Sequence, residues 1–149
     1  SNTGGWSLIT GTMIGSTDSS GIEVRMLNSS SSNINVEYRT TNSSTTGSNS
    51  STNSSGCPMN YYNIGNSQGN SSSFGERSNF MIHFIHTGSS YPDFLYGTTH
   101  YHSTSNTLYS NRYVAKATSN TDIHYLRFRR WNGANFAGQF KVHRLGASF

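Results

Sequence analysis

Any chemistry in this chain of 149 residues would have to come from six histidines, six acids, one cysteine and an abundance of serine. His100 and His102 stand two apart, so on a strand they share one face; His83 and His86, three apart, face opposite ways. An H-x-H pair is sound metal geometry when further ligands converge on it, and a threefold axis would multiply the imidazoles. No acid or cysteine lies near the pair in sequence. We therefore expect His100 and His102 to be surface or interface side chains flanking Tyr101, with no metal and no other cofactor.

The acids Asp18, Glu23, Glu37, Glu76, Asp93 and Asp122 are dispersed. Glycoside hydrolysis needs two carboxyls held across a cleft, and no spacing here favours a pair. The many serines lack a nucleophile-elbow motif. Cys57 is the one cysteine, which excludes an internal disulfide. The expectation is a protein that is not an enzyme, with a depolymerase of host polysaccharide as the enzymatic alternative.

Binding is the other route to function. Tyr61, Tyr62, Tyr91, Tyr96, Tyr101, Tyr109 and Trp131 could stack on sugars. A chain only 32% hydrophobic and 13% aromatic must spend most of its rings on packing. Tyr91 and Trp131, each beside a turn signal, are the glycan-binding candidates. Net charge is +4, and the excess gathers late in the chain. Arg112, Lys116, Arg127, Arg129, Arg130, Lys141 and Arg144 face a single acid, Asp122. That run suits an anionic glycan or an acidic neighbouring subunit. Nucleic acid is not expected, because no recognition helix or nucleic-acid motif accompanies the charge.

The elements that must position these residues are strands. The most patterned stretch is residues 123–146, IHYLRFRRWNGANFAGQFKVHRLG, which reads as a closing antiparallel hairpin. Leu126 and Phe128 share one face of its first strand, against Tyr125, Arg127 and Arg129. In its second strand, Phe140 and Val142 oppose Lys141 and His143. Residues 6–14 read as an opening strand with Gly11 as a bulge or bend. Residues 21–27 and 34–39 alternate well and read as hairpin partners. Ile22, Val24, Met26, Ile34, Val36 and Tyr38 point inward, and Glu23 and Arg39 could meet across the strands.

Residues 40–56, TTNSSTTGSNSSTNSSG, are low-complexity and read as a surface loop. Residues 57–64 begin at an edge strand or an extended entry, set by Pro58. Residues 80–86, FMIHFIH, are apolar on both faces. Such a strand belongs in the middle of a sheet or under a second subunit. Two further strands follow, at residues 94–102 and within 108–118. No helical stripe, signal peptide or membrane span is legible.

About eight or nine short strands at regular spacing imply one all-β domain over residues 1–149. The expected fold is an antiparallel two-sheet β-sandwich of jelly-roll type, with an immunoglobulin-like sandwich second.

The closing stretch resembles the small C-terminal jelly-roll modules of tailed-phage virion proteins. The resemblance is carried by Leu126, Arg127 and Phe128, then Asn135, Phe136, Ala137 and Gly138, then Phe140, Val142, Leu145 and Gly146. The opening Trp6 strand followed by GIEVRML is similar to theirs, and the serine-rich middle is not. Arg144 departs from the small or polar residue many relatives carry. The resemblance implies a setting in the virion, on a capsid or tail surface, and an architecture, but no active site. The expected partners are the chain itself, as a homotrimer, and other virion proteins, with host-surface glycan as the alternative. Phe80, Ile82, Phe84, Arg127, Arg129 and Arg130 are the candidate subunit contacts.

Overall fold

The computed structural model describes residues 4–15, 21–42, 48–59, 78–88, 91–102, 108–130 and 136–144. The side chains of residues 14, 15, 48, 49, 102 and 136 lie outside that description. The described residues form eleven strands and no helix. They are β1 (Gly5–Gly15), β2 (Ile22–Leu27), β3 (Asn33–Ile34), β4 (Val36–Asn42), β5 (Ser48–Ser54) and β6 (Cys57–Pro58). Then follow β7 (Ser78–His86), β8 (Phe94–His102), β9 (Leu108–Ala117), β10 (Tyr125–Arg130) and β11 (Phe136–Arg144).

Two antiparallel sheets face one another. The larger has seven strands in the order β11-β1-β7-β8-β9-β4-β5. In the smaller, β10 flanks one side of β2, while β3 and β6 share the other. The core between them contains Ile9, Ile82, Leu95, Tyr113 and Ala115 from the large sheet and Ile22, Val24 and Met26 from the small one. Ile82 and Leu95 are wholly buried, each contributing about 2 kcal/mol from transfer out of water. β7 lies inside the large sheet between β1 and β8, as its two apolar faces predict.

Two inner-face glycines are spacers. A Cβ on Gly11 would stand 2.6 Å from the Phe80 ring and 2.6 Å from the Gln139 carbonyl oxygen. β1 keeps unbroken register with both neighbours through Gly11, so the expected bulge is absent there. Gly97 clears the same kind of space for Tyr113.

Three expectations about pairing are corrected. The closing hairpin does not exist: β10 pairs with β2 and β11 pairs with β1, in different sheets. Leu126 and Phe128 then face Phe140 across the interior, with the Phe128 and Phe140 rings 5.2 Å apart. A hairpin would have left both apolar rows side by side in one sheet. Nor are residues 34–39 a single partner of β2. Ile34 pairs with Met26, but beyond Asn35 the chain changes sheet and β4 joins β9 and β5. Glu23 consequently meets Arg25 and Arg129, not Arg39.

The third correction concerns residues 40–56. Thr40 to Asn42 continue β4, and Ser48–Ser54 form the edge strand β5. Strand pairing is a backbone property, so a run without apolar side chains can be held by main-chain hydrogen bonds alone. Of residues 57–64, only 57–59 fall within the description.

Candidate functional site

The outer face of the seven-stranded sheet is unusually apolar. Side chains alternate across a strand, and β7 is apolar on both faces, so its second set must point away from the core. The cross-strand register lines these residues up. His143, Leu8, His83, Tyr96, Val114, Arg39 and Ser50 are successive partners across all seven strands. On one side of this row run Trp6, Ile85, Phe94, Lys116 and Glu37. On the other run Lys141, Thr10, Met81, Thr98, Arg112 and Thr41.

The row is tied together by its rings. The Trp6 indole N–H donates to His83 Nδ1 at 3.1 Å. His83 in turn stacks on Tyr96. Met81, Tyr96 and Val114 remain 41%, 40% and 44% exposed. They border a shallow groove of about 370 Å3, with Arg39 and Arg112 on its far side. Neither arginine has an ion pair among the described residues, whereas Lys116 meets Glu37 at 3.2 Å. A flat apolar band edged by uncompensated cations is suited to burying another surface.

Reactive chemistry is not assembled among the described residues. Glu23, buried, accepts from Arg25 Nε at 2.6 Å and lies 3.3 Å from Arg129 Nε, which donates to the Arg130 carbonyl oxygen. Asp93, also buried, lies 2.7 Å from His86 Nδ1 and accepts the Thr87 backbone N–H at 2.8 Å. That knot closes the turn between β7 and β8. Glu37 sits on the outer face of β4. These three carboxylates stand on separate elements, each with its own basic partner. Burial pushes the Cys57 thiol far up, and the nearby Glu23 carboxylate adds to it, so Cys57 stays protonated. Burial likewise raises the Tyr113 phenol, against a hydrogen bond with Thr99.

The sequence candidates separate. Phe80 and Ile82 are core residues, 4% and 0% exposed, and Phe84 packs against that core. Phe80 and Ile82 are therefore closed to a subunit contact, while Phe84 stays half-buried beside an open cleft; the opposite side chains of β7, Met81, His83 and Ile85, hold the outer face. Arg130 is 1% exposed, because it shares the inward face of β10 with Leu126 and Phe128. Arg127 is exposed, and Arg129 is engaged with Glu23. Tyr91 is 70% exposed, at the turn where Thr87 Oγ1 donates to its carbonyl at 2.7 Å. Trp131 and the side chain of His102 lie outside the described residues, and His100 is exposed. No group of three or more metal-ligating side chains occurs among the described residues.

Sequence reading missed the outer-face row because it joins seven strands that are distant in the chain. Its one local signal is the second apolar face of residues 80–86. No protein-family model, no curated protein and no solved structure matches this chain.

Proposed function

We propose that this chain is a non-enzymatic structural module of a tailed-phage virion surface, a jelly-roll-type sandwich that works by packing against copies of itself and other virion proteins. The observation that carries the reading is the outer face of the large sheet, where Met81, Tyr96 and Val114 are exposed in register beside Arg39 and Arg112. Burying such a band against a neighbour removes apolar area from water, and the arginines supply orientation. The resemblance of the closing stretch to phage modules supplies the setting, and a homotrimer on the capsid or tail surface is the expected assembly.

Antibody labelling of purified particles tests the setting. Gold label at a discrete position on intact virions supports it. Label confined to the soluble fraction of the lysate overturns it.

A receptor-binding reading is favoured by one observation, the exposed Tyr91 on a turn anchored by buried Asp93. A glycan array decides it: saturable binding that disappears in Tyr91→Ala is the expected result, and binding unaffected by that change removes it.

A further inference from the structure

At the centre of the outer face, Tyr96, Val114 and Arg39 are successive register partners on β8, β9 and β4. Met81, Thr98 and Arg112 form the next row. The groove of about 370 Å3 between these rows is one of two hollows on the face. Val114 and Arg39 also border the second, of about 370 Å3, which they share with Phe94 and Lys116. The hollows follow one another along β9, on either side of the Arg39–Val114 pair. A single ring fills one of them and leaves the other in water. A protein surface with two apolar side chains covers both.

Charge names the occupant. Arg39 faces Val114, and Arg112 stands two residues along β9. The two guanidinium groups therefore rise from diagonal positions on neighbouring strands, with Cβ atoms about 7 Å apart. Lys116 beside them is answered by Glu37 at 3.2 Å, but the arginines have no ion pair among the described residues. A second copy has no free carboxylate to offer from its own described residues. Glu23 and Asp93 are buried, Glu37 is held by Lys116, and Asp122 is engaged as well. Residues 43–47 and 103–107, which follow β4 and β8 in the chain, contain no acid. Two copies meeting face to face would set Arg39 and Arg112 against their own equivalents, and like charges brought together in an interface are strongly unfavourable.

We propose that the centre of the outer face docks the surface of another protein that carries two apolar side chains and adjacent carboxylates. The apolar side chains enter the two hollows. The carboxylates meet Arg39 and Arg112, whose forked N–H donors can each take both oxygens of one carboxylate. The same two arginines keep an apolar band from pairing with itself, so attraction and exclusion come from one pair of residues. This inference rests on the assembly reading of the face and narrows the neighbour there to another, acidic protein.

Panning a random peptide display library on the purified chain, with Tyr96→Glu as the counter-selecting target, tests it. The expected peptides combine aromatic or aliphatic residues with Asp or Glu, bind the wild-type chain but not Tyr96→Glu, and weaken as salt rises. Arg39 and Arg112 are exposed, so their reversal leaves the core untouched. Arg39→Glu combined with Arg112→Glu should weaken the selected peptides by about tenfold or more and enrich Lys- or Arg-bearing ones instead. Absence of enrichment, peptides without acids, or binding indifferent to the reversal overturns the proposal. Saturable binding of polygalacturonate with no peptide enriched gives the face to an acidic glycan. A face-to-face pair of copies that Tyr96→Glu separates gives it to a second copy. Either result also overturns the proposal. If Tyr96→Glu disrupts assembly while the arginine reversal does nothing, the assembly reading stands and this inference alone fails.

Discussion

The ring of His83 stacks on the ring of Tyr96, with centroids 4.6 Å apart and planes 13° from parallel. On its other side His83 accepts the Trp6 N–H through Nδ1 at 3.1 Å. The stack holds Tyr96 upright on the outer face while leaving it 40% exposed. Such a ring pair contributes about 1 kcal/mol. Tyr96→Glu should therefore lower the melting temperature only slightly while dissociating the assembled form. Thermal scans and sedimentation velocity read the two effects separately. A variant that assembles normally removes the outer face as the contact.

Gly97 should not tolerate a side chain. A Cβ there would press on the Met81 carbonyl oxygen and stand 2.8 Å from the Tyr113 hydroxyl oxygen. Backbone on one side and a buried ring on the other leave little room to relax. Gly97→Ala should cost about 2–3 kcal/mol in urea unfolding. Gly5→Ala is the control: nothing lies within 4 Å of the point where its methyl would stand, and stability should change by less than about 0.5 kcal/mol.

Glu23 joins Arg25 and Arg129 through one oxygen, with 7% of its side chain exposed. Removing its charge leaves two guanidinium groups beside a buried amide. Glu23→Gln should destabilise by about 1–3 kcal/mol. Because the contact is largely shielded from solvent, most of the loss should persist at high salt. Equilibrium unfolding at low and high ionic strength checks both statements.

Alkali should weaken the fold through Cys57 and Tyr113. Burial raises both groups above their ordinary values of 9.0 and 10.0. Below pH 9 each is protonated in the folded and unfolded chains, so nothing is lost. Above it the unfolded chain releases the Cys57 proton first while the folded chain keeps it. Stability should fall by about 1.4 kcal/mol per pH unit for each such group. In Cys57→Ala the decline should begin later, in the tyrosine range. Unfolding free energies measured from pH 7 to pH 11 test the sign and the order.

Period-two alternation was enough to place Ile22, Val24, Met26, Ile34, Val36 and Tyr38 in the interior, and all six are buried. It also put β7 inside a sheet. Arg130 could have been read the same way, since it shares parity with Leu126 and Phe128; the density of neighbouring cations hid it. Alternation reports which side of a strand is dry, because that depends on the strand's own side chains. It is silent on which strands become neighbours. The separation of β10 from β11, the change of sheet at Asn35 and the pairing of serine-rich β5 all rest on backbone hydrogen bonds between distant segments. Those bonds use N–H and C=O groups that nearly every residue carries, so side-chain identity leaves little trace of them. The outer-face row exists only once that pairing has been made.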